Sequence, residues 1–208
     1  MRIPNEVHRS QDWRIHEVVP DFTLEDVWAL PAVEGGPEDF PALVATVAAF
    51  DPARASSLPT RLLWGARDLL GRWAGLGGIS APVGLDDDTG TGLPIPGTTE
   101  TSVADRLPED LRGTAAGVRF DHLPFVPLYR TDEEFAAEIS NATVHGLMHL
   151  AWVSRGDGRF SGQMAVYVQP RGRFGSAYLA FIKPFRHGIV YPALERGLAR
   201  AWEDRPHG

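Results

Sequence analysis

From residue 143 onward the chain alternates between strand-forming runs and tight turns, and that leaves it few folds. Residues 143–153 read as one long strand. Arg155-Gly156-Asp157-Gly158 supplies a hairpin turn, because consecutive positions with positive φ suit glycine and aspartate. Residues 163–168 form the return strand, Arg171-Gly172-Arg173-Phe174-Gly175 turns again, and residues 177–182 make a last strand. A helix over about 185–203 follows, with Val190, Leu194, Leu198, Ala201 and Trp202 as its apolar stripe. Pro192 starts or kinks it. Strands linked by turns this short are antiparallel, so the second half is an antiparallel meander closed by one helix.

The first half reads differently. Trp13, Ile15 and Glu17 alternate with Arg14, His16 and Val18, which predicts a strand over 13–19. Thr23-Leu24-Glu25-Asp26 resembles a helix cap, predicting a short helix through Val27, Trp28 and Leu30 that ends at Pro31. Phe40, Leu43, Val44, Val47 and Ala48 share one helical face. A further helix is expected over 59–74, begun by Pro59 and ended by Gly75-Leu76-Gly77-Gly78. Residues 76–118 are irregular, as an insertion in the domain would be. Phe125 to Tyr129 form a strand with Pro127 in it, which suits an edge. Phe135, Ala137 and Ile139 alternate with Glu134, Glu138 and Ser140, giving a half-exposed strand, with a helix capped at Thr131 as the competitor.

This order is α+β: a curved antiparallel sheet around a long C-terminal helix, with two helices after the first strand, in one domain spanning 1–208. The even faces of the later strands, with Val144, Met148, Leu150, Trp152, Met164, Val166 and Val168, form the apolar surface under that helix. A sheet wrapped round one helix tends to leave a cavity, the default ligand site.

Composition narrows the function. The chain has no cysteine, which excludes disulfides, thiolate metal sites and thiol nucleophiles. No apolar run approaches the roughly 18 residues of a membrane span. Met1 to Glu6 contain no apolar leader, so a cytoplasmic location is expected. The 20 basic and 27 acidic residues are unevenly placed. Residues 1–153 hold 11 basic and 23 acidic side chains, and residues 154–208 hold 9 and 4. Either the two parts complement each other or the basic part faces an anionic ligand. The basic residues form no dense run, which argues against nucleic acid. Lys183 is the single lysine among them.

Three groups of residues carry candidate chemistry. His145 and His149 share one strand face but stand about 13 Å apart along it, too far for one metal. They are ligand or proton-transfer groups, or hydrogen-bonded structural histidines on the less apolar sheet face. Lys183, Arg186, His187 and Tyr191 gather where the last strand becomes the last helix, as an anion or carbonyl clamp or a salt-bridged junction. Met148, Trp152, Met164 and Tyr167 line a ligand cavity or form plain core, although Tyr167 and Met164 point to opposite faces of a regular strand. Asp86-Asp87-Asp88 lacks the glycine and terminal glutamate of a calcium loop, since Thr91 and Gly97 stand there. Gly75-x-Gly77 lacks the third glycine of a dinucleotide loop. Neither a nucleophile elbow nor a phosphate loop occurs, and no metal or cofactor is expected.

Several runs resemble a bacterial family catalogued as domain of unknown function 2867. They are Ser140-Asn141-Ala142-Thr143-Val144-His145, His149-Leu150-Ala151-Trp152-Val153, Gly162-Gln163-Met164-Ala165-Val166-Tyr167-Val168, and Ile182-Lys183-Pro184-Phe185-Arg186-His187 with Val190-Tyr191-Pro192. Asp26-Val27-Trp28 and Arg106-Leu107-Pro108 extend the likeness upstream. The resemblance implies the helix-grip superfamily of START-like and polyketide-cyclase-like (SRPBCC) proteins, which bind hydrophobic ligands between sheet and helix. The expectation is therefore a protein that binds a small hydrophobic or amphipathic molecule there, with a homodimer left open. The alternatives are a cyclase- or hydratase-like enzyme in the same cavity, and an interaction domain that partners a dehydrogenase through residues 76–118.

Overall fold

The structure is a computed structural model that describes residues 1–51, 102–140, 144–171 and 191–205, with Pro31 and residues 191–194 described by their backbone alone. The expected helix over 59–74, strand over 177–182 and first turns of the last helix lie outside the described residues. Among the described residues, six strands form one antiparallel sheet in the order β1-β2-β6-β5-β4-β3. They are β1 (Arg2–Ile3), β2 (Thr23–Gly35), β3 (Val126–Arg130), β4 (Glu134–Ser140), β5 (Val144–Gly156) and β6 (Arg159–Pro170). The helices are α1 (Asn5–Arg9), α2 (Ile15–Val18), α3 (Phe40–Ala48) and α4 (Tyr191–Glu203). Among the described residues, no helix is long and apolar enough to cross a membrane.

The α+β class, the antiparallel sheet and the C-terminal helix follow the expectation. The β5–β6 hairpin closes on Asp157 and Gly158, with φ of 54° and 75°, as a two-residue turn of this hand requires. Pro127 sits on β3, an edge strand, where its missing N–H costs no ladder bond inside the sheet. Residues 134–140 are a strand, because β4 pairs along its whole length with β5.

Two expectations in the first half are overturned. Residues 13–19 are no strand: Ile15 to Val18 coil into α2, and the buried positions Ile15, Val18 and Val19 follow the three-and-four spacing of a helix. Residues 23–30 are no helix: they begin β2, which pairs with β6. The apolar spacing of Leu24, Val27, Trp28 and Leu30 mimics a helix because the strand is buried on both faces. A bulge between Leu24 and Asp26 also shifts its register. Pro31 falls in a second irregular stretch, between Leu30 and Glu34.

A larger correction concerns the layers. The sheet buries both faces. On one, α3 and α4 cover Trp28, Leu30, Phe135, Met148, Leu150, Trp152 and Met164, with Leu43, Phe40, Leu198 and Trp202 packed down from the helices. On the other, α1, α2 and two 3-10 helices at Val103–Arg106 and Glu109–Leu111 cover Leu24, Val27, Tyr129, Ala136, Leu147, Ala165 and Tyr167. Part of the irregular stretch before residue 118 is thus a lid on the sheet's second face. β4 is accordingly buried on both sides, and Glu134 and Glu138 do not face solvent.

Candidate functional site

Two carboxylates under that lid organise its polar side. Glu134 and Glu138 are four residues apart on β4, and His149 and His145 are four apart on the antiparallel β5. One register therefore serves two diagonal pairs. His149 Nε2 lies 3.0 Å from Glu134 Oε2, and His145 Nε2 lies 2.9 Å from Glu138 Oε2. All four side chains are buried.

Each glutamate also holds the start of a covering segment. Glu134 accepts from the Arg14 N–H at 3.0 Å and the Ile15 N–H at 3.4 Å, amides that the first turn of α2 leaves free. Tyr129 donates its hydroxyl to the same carboxylate at 3.1 Å. Glu138 accepts from the Val103 N–H at 3.1 Å and from the Ser102 hydroxyl, at the head of a 3-10 helix. Arg14 bridges from α2 to Asp110 through both terminal nitrogens, at 2.7 and 3.2 Å, and Arg106 reaches Asp21 at 2.6 Å. The lid is therefore cross-linked to itself and pinned to the sheet.

The two pairs differ in their surroundings. His145 packs against Phe22, 5.1 Å between centroids, inside the apolar cover. His149 instead opens onto a cluster of polar rings. His8 of α1 lies 5.2 Å from His149, 5.7 Å from His16, 5.9 Å from Tyr167 and 6.1 Å from Trp13. Trp13 lies 5.9 Å from His149, and His16 lies 6.4 Å from Tyr167. His8 is positioned by its helix, since Asn5 donates to the Leu24 carbonyl at 2.7 Å and holds α1 over β2. Gln163 of β6 then meets His8 Nδ1 with its amide nitrogen.

Five polar atoms of these rings are buried and have no hydrogen-bond partner: His8 Nε2, Trp13 Nε1, His16 Nε2, His149 Nδ1 and the Tyr167 hydroxyl. His8 and His149 are wholly buried, whereas Trp13 and His16 are only partly so. The cluster thus has a buried floor and a rim that reaches the surface.

Electrostatics separates the roles. Burial, with His149 and His16 adding to it, pushes the His8 pKa down to about 2, so His8 is neutral. Burial also lowers His16, with His149 adding to it. Burial pushes Glu134 upward, but the hydrogen bond and charge of His149, the Arg14 amide and Tyr129 outweigh it and hold the carboxyl below its usual value. Burial and the Glu134 charge raise the Tyr129 phenol, and burial raises that of Tyr167, so both keep their protons. Among the described residues, no group of three or more His, Asp or Glu side chains has the arrangement to hold a metal ion.

The residues expected to share one cavity are divided by the sheet. Met148, Trp152 and Met164 lie on the α3–α4 face, in a packed core where Trp152 meets Phe40, Phe160 and Trp202. His145, His149 and Tyr167 lie on the opposite face, under the lid. Lys183, Arg186 and His187 lie outside the described residues, and of Tyr191 only the backbone, at the start of α4, is described. The sequence reading missed His8, Trp13, His16, Tyr129, Glu134, Glu138 and Gln163. One signal was available for two of them: matched four-residue spacings of Glu and His on neighbouring antiparallel strands.

Comparison with known proteins adds a family. Neither a search of curated proteins nor a search of solved structures found a match. The model of a family described as protein of unknown function (DUF2867) matches residues 18–193. That span takes in strands β2 to β6, both glutamate–histidine pairs and Tyr167, and the chain therefore belongs to the DUF2867 family.

Proposed function

We propose that this chain binds a small, partly polar organic molecule at the cluster of His8, Trp13, His16, His149 and Tyr167. The observation that carries the reading is the set of five unpartnered polar atoms on rings in mutual contact. A buried polar group without a partner costs about 1–3 kcal/mol, which a ligand offering matching groups recovers. The ring faces supply apolar contact, so an amphipathic molecule suits the cluster better than an ion. The partly exposed Trp13 and His16 give such a molecule a way in.

This moves the expected ligand from the α4 side of the sheet to the lid side. The indole groups of the α4 side favour the move, because Trp152 and Trp202 already donate to the Gly36 and Glu34 carbonyls, at 2.9 and 3.2 Å, whereas those five polar atoms of the lid side have no partner. The same proposal keeps the kinship with helix-grip proteins, supported by the antiparallel sheet and the helix lying against it.

Native mass spectrometry of the freshly purified protein, repeated after denaturation, tests the binding. We expect an excess mass that disappears on unfolding and is reduced in both His8→Gln and Tyr167→Phe. An excess mass retained undiminished in both variants places the ligand elsewhere. A bare mass in the wild type, together with tryptophan emission that responds to a library of small amphipathic compounds no differently in the wild type and in Trp13→Phe, ends the reading.

A further inference from the structure

We propose that the cluster is a proton-transfer centre for a small carbonyl compound. His149 Nδ1 takes a proton from the carbon beside the carbonyl, while the carbonyl oxygen accepts from His8, Trp13 and Tyr167. This proposal rests on the binding reading above and assigns that site a reaction.

The protons are placed by the partners already described. Ionised Glu134 only accepts, so His149 Nε2 carries a proton, and the neutral form of the ring, the form that acts as base, presents a lone pair at Nδ1. Gln163 approaches His8 Nδ1 with its amide nitrogen, a donor, so His8 carries its proton on Nε2. Trp13 Nε1 is a donor only, and the Tyr167 phenol keeps its proton. One acceptor edge thus stands in a ring cluster with three donor edges, and all four atoms are free of protein partners. The complement is an oxygen acceptor next to a releasable proton, as in a carbonyl compound with an α-hydrogen.

The base has the support that proton uptake needs. Glu134 fixes the tautomer and orientation of His149 and offsets the positive charge that forms on it. Glu134 is itself immobilised by Arg14, Ile15 and Tyr129, so it is a positioning residue. His8 is neutral and donates without adding a second positive charge to the floor.

The step balances without a co-reactant. The α C–H bond breaks and an N–H bond forms at His149 Nδ1. The C–H electron pair becomes the carbon–carbon double bond, and the carbonyl π pair moves to oxygen, where the three donors meet it. Return of the proton, or of a deuteron taken up by His149 from solvent, to the same carbon restores the C–H or forms a C–D bond and completes a hydrogen exchange.

The test uses the whole chain in deuterium oxide, with cyclohexanone and pyruvate as a neutral and an anionic probe. Proton NMR follows loss of the α-hydrogen signal, and saturation-transfer NMR follows binding separately. We expect exchange well above that given by the same concentration of free imidazole. His149→Gln should lose about 100-fold in exchange while still binding. Tyr167→Phe removes an oxygen that has no protein partner, so it should fold normally and lose about tenfold. Glu134→Gln should move the pH profile of exchange, which a merely structural role would not do. A probe that binds but exchanges no faster with wild type than with His149→Gln overturns the proton-transfer proposal and leaves the binding reading standing. Failure of both probes to bind overturns the proposal together with the assignment of carbonyl compounds to this site.

Discussion

Glu134 is the residue on which the lid side of the sheet depends. One buried carboxylate accepts from two main-chain amides, a phenol and an imidazole. Removing it leaves four donors stranded, and breaking a buried pair of this kind costs about 3–5 kcal/mol. Glu134→Ala should lower the urea midpoint by a corresponding amount, whereas Arg159→Ala, which removes a solvent-exposed pair with Asp157, should shift stability by less than about 0.5 kcal/mol. Equal effects of the two substitutions would show that Glu134 is not a buried anchor. In the sequence, Glu134 looked like an ordinary outward residue of a half-exposed strand. Alternation of apolar and polar residues tells which side chains share a face, and it cannot tell whether a second layer covers the polar one. The histidines were legible as a strand pair for the same reason; the matched spacing of Glu134 and Glu138 was a signal for their partners, but which glutamate meets which histidine depends on register.

At the scale of elements, success in reading the sequence followed how local the cause was. The β5–β6 hairpin was legible because Asp157 and Gly158 supply its positive φ angles within the turn. Gly158→Ala should therefore cost about 1 kcal/mol in unfolding free energy, with the rest of the sheet unchanged. α3 was legible from its own apolar stripe. β2 was not, because its pattern answers to two layers at once and carries a bulge. The short cover elements α1 and α2 draw little on local propensity and owe their form to what they pack on. Gly162 shows the same dependence on distant contacts. A Cβ there would stand 3.1 Å from Leu43 on α3, 3.3 Å from Leu30 and 3.3 Å from Val33. Absence of a side chain on β6 thus lets α3 settle onto the sheet. Gly162→Ala should destabilise by about 1–3 kcal/mol by calorimetry, and a wild-type midpoint would mean that α3 moves away freely.

Over the whole molecule, the fold is a sheet held between an apolar layer and a layer pinned by buried acid–base pairs, and the second layer makes it sensitive to acid. His8 has a folded pKa of about 2 against 6.5 when free. Between those values the unfolded chain binds more protons than the folded one, so stability falls as pH falls. The loss begins near pH 6.5 and amounts to about 2 kcal/mol at pH 5 from His8 alone. His16 is lowered as well and acts with the same sign. Glu134 adds to the loss only below its free value of 4.5, where its protonation withdraws the acceptor that holds α2. Hydrogen bonds and charge from Arg106 lower Asp21, and those from Arg14 lower Asp110, so the outer ties of the lid loosen in the same acid range. Urea unfolding measured from pH 7.5 to 4 should therefore show a steady decline in stability, and His8→Gln should make it shallower above pH 5 while leaving the share of His16 and the decline below pH 4.5 in place. A wild-type profile that stays level down to pH 5 would mean that water reaches His8 and that the floor of the cluster is open. A shallower profile in the variant would assign the main part of the decline between pH 6.5 and 5 to one side chain on α1.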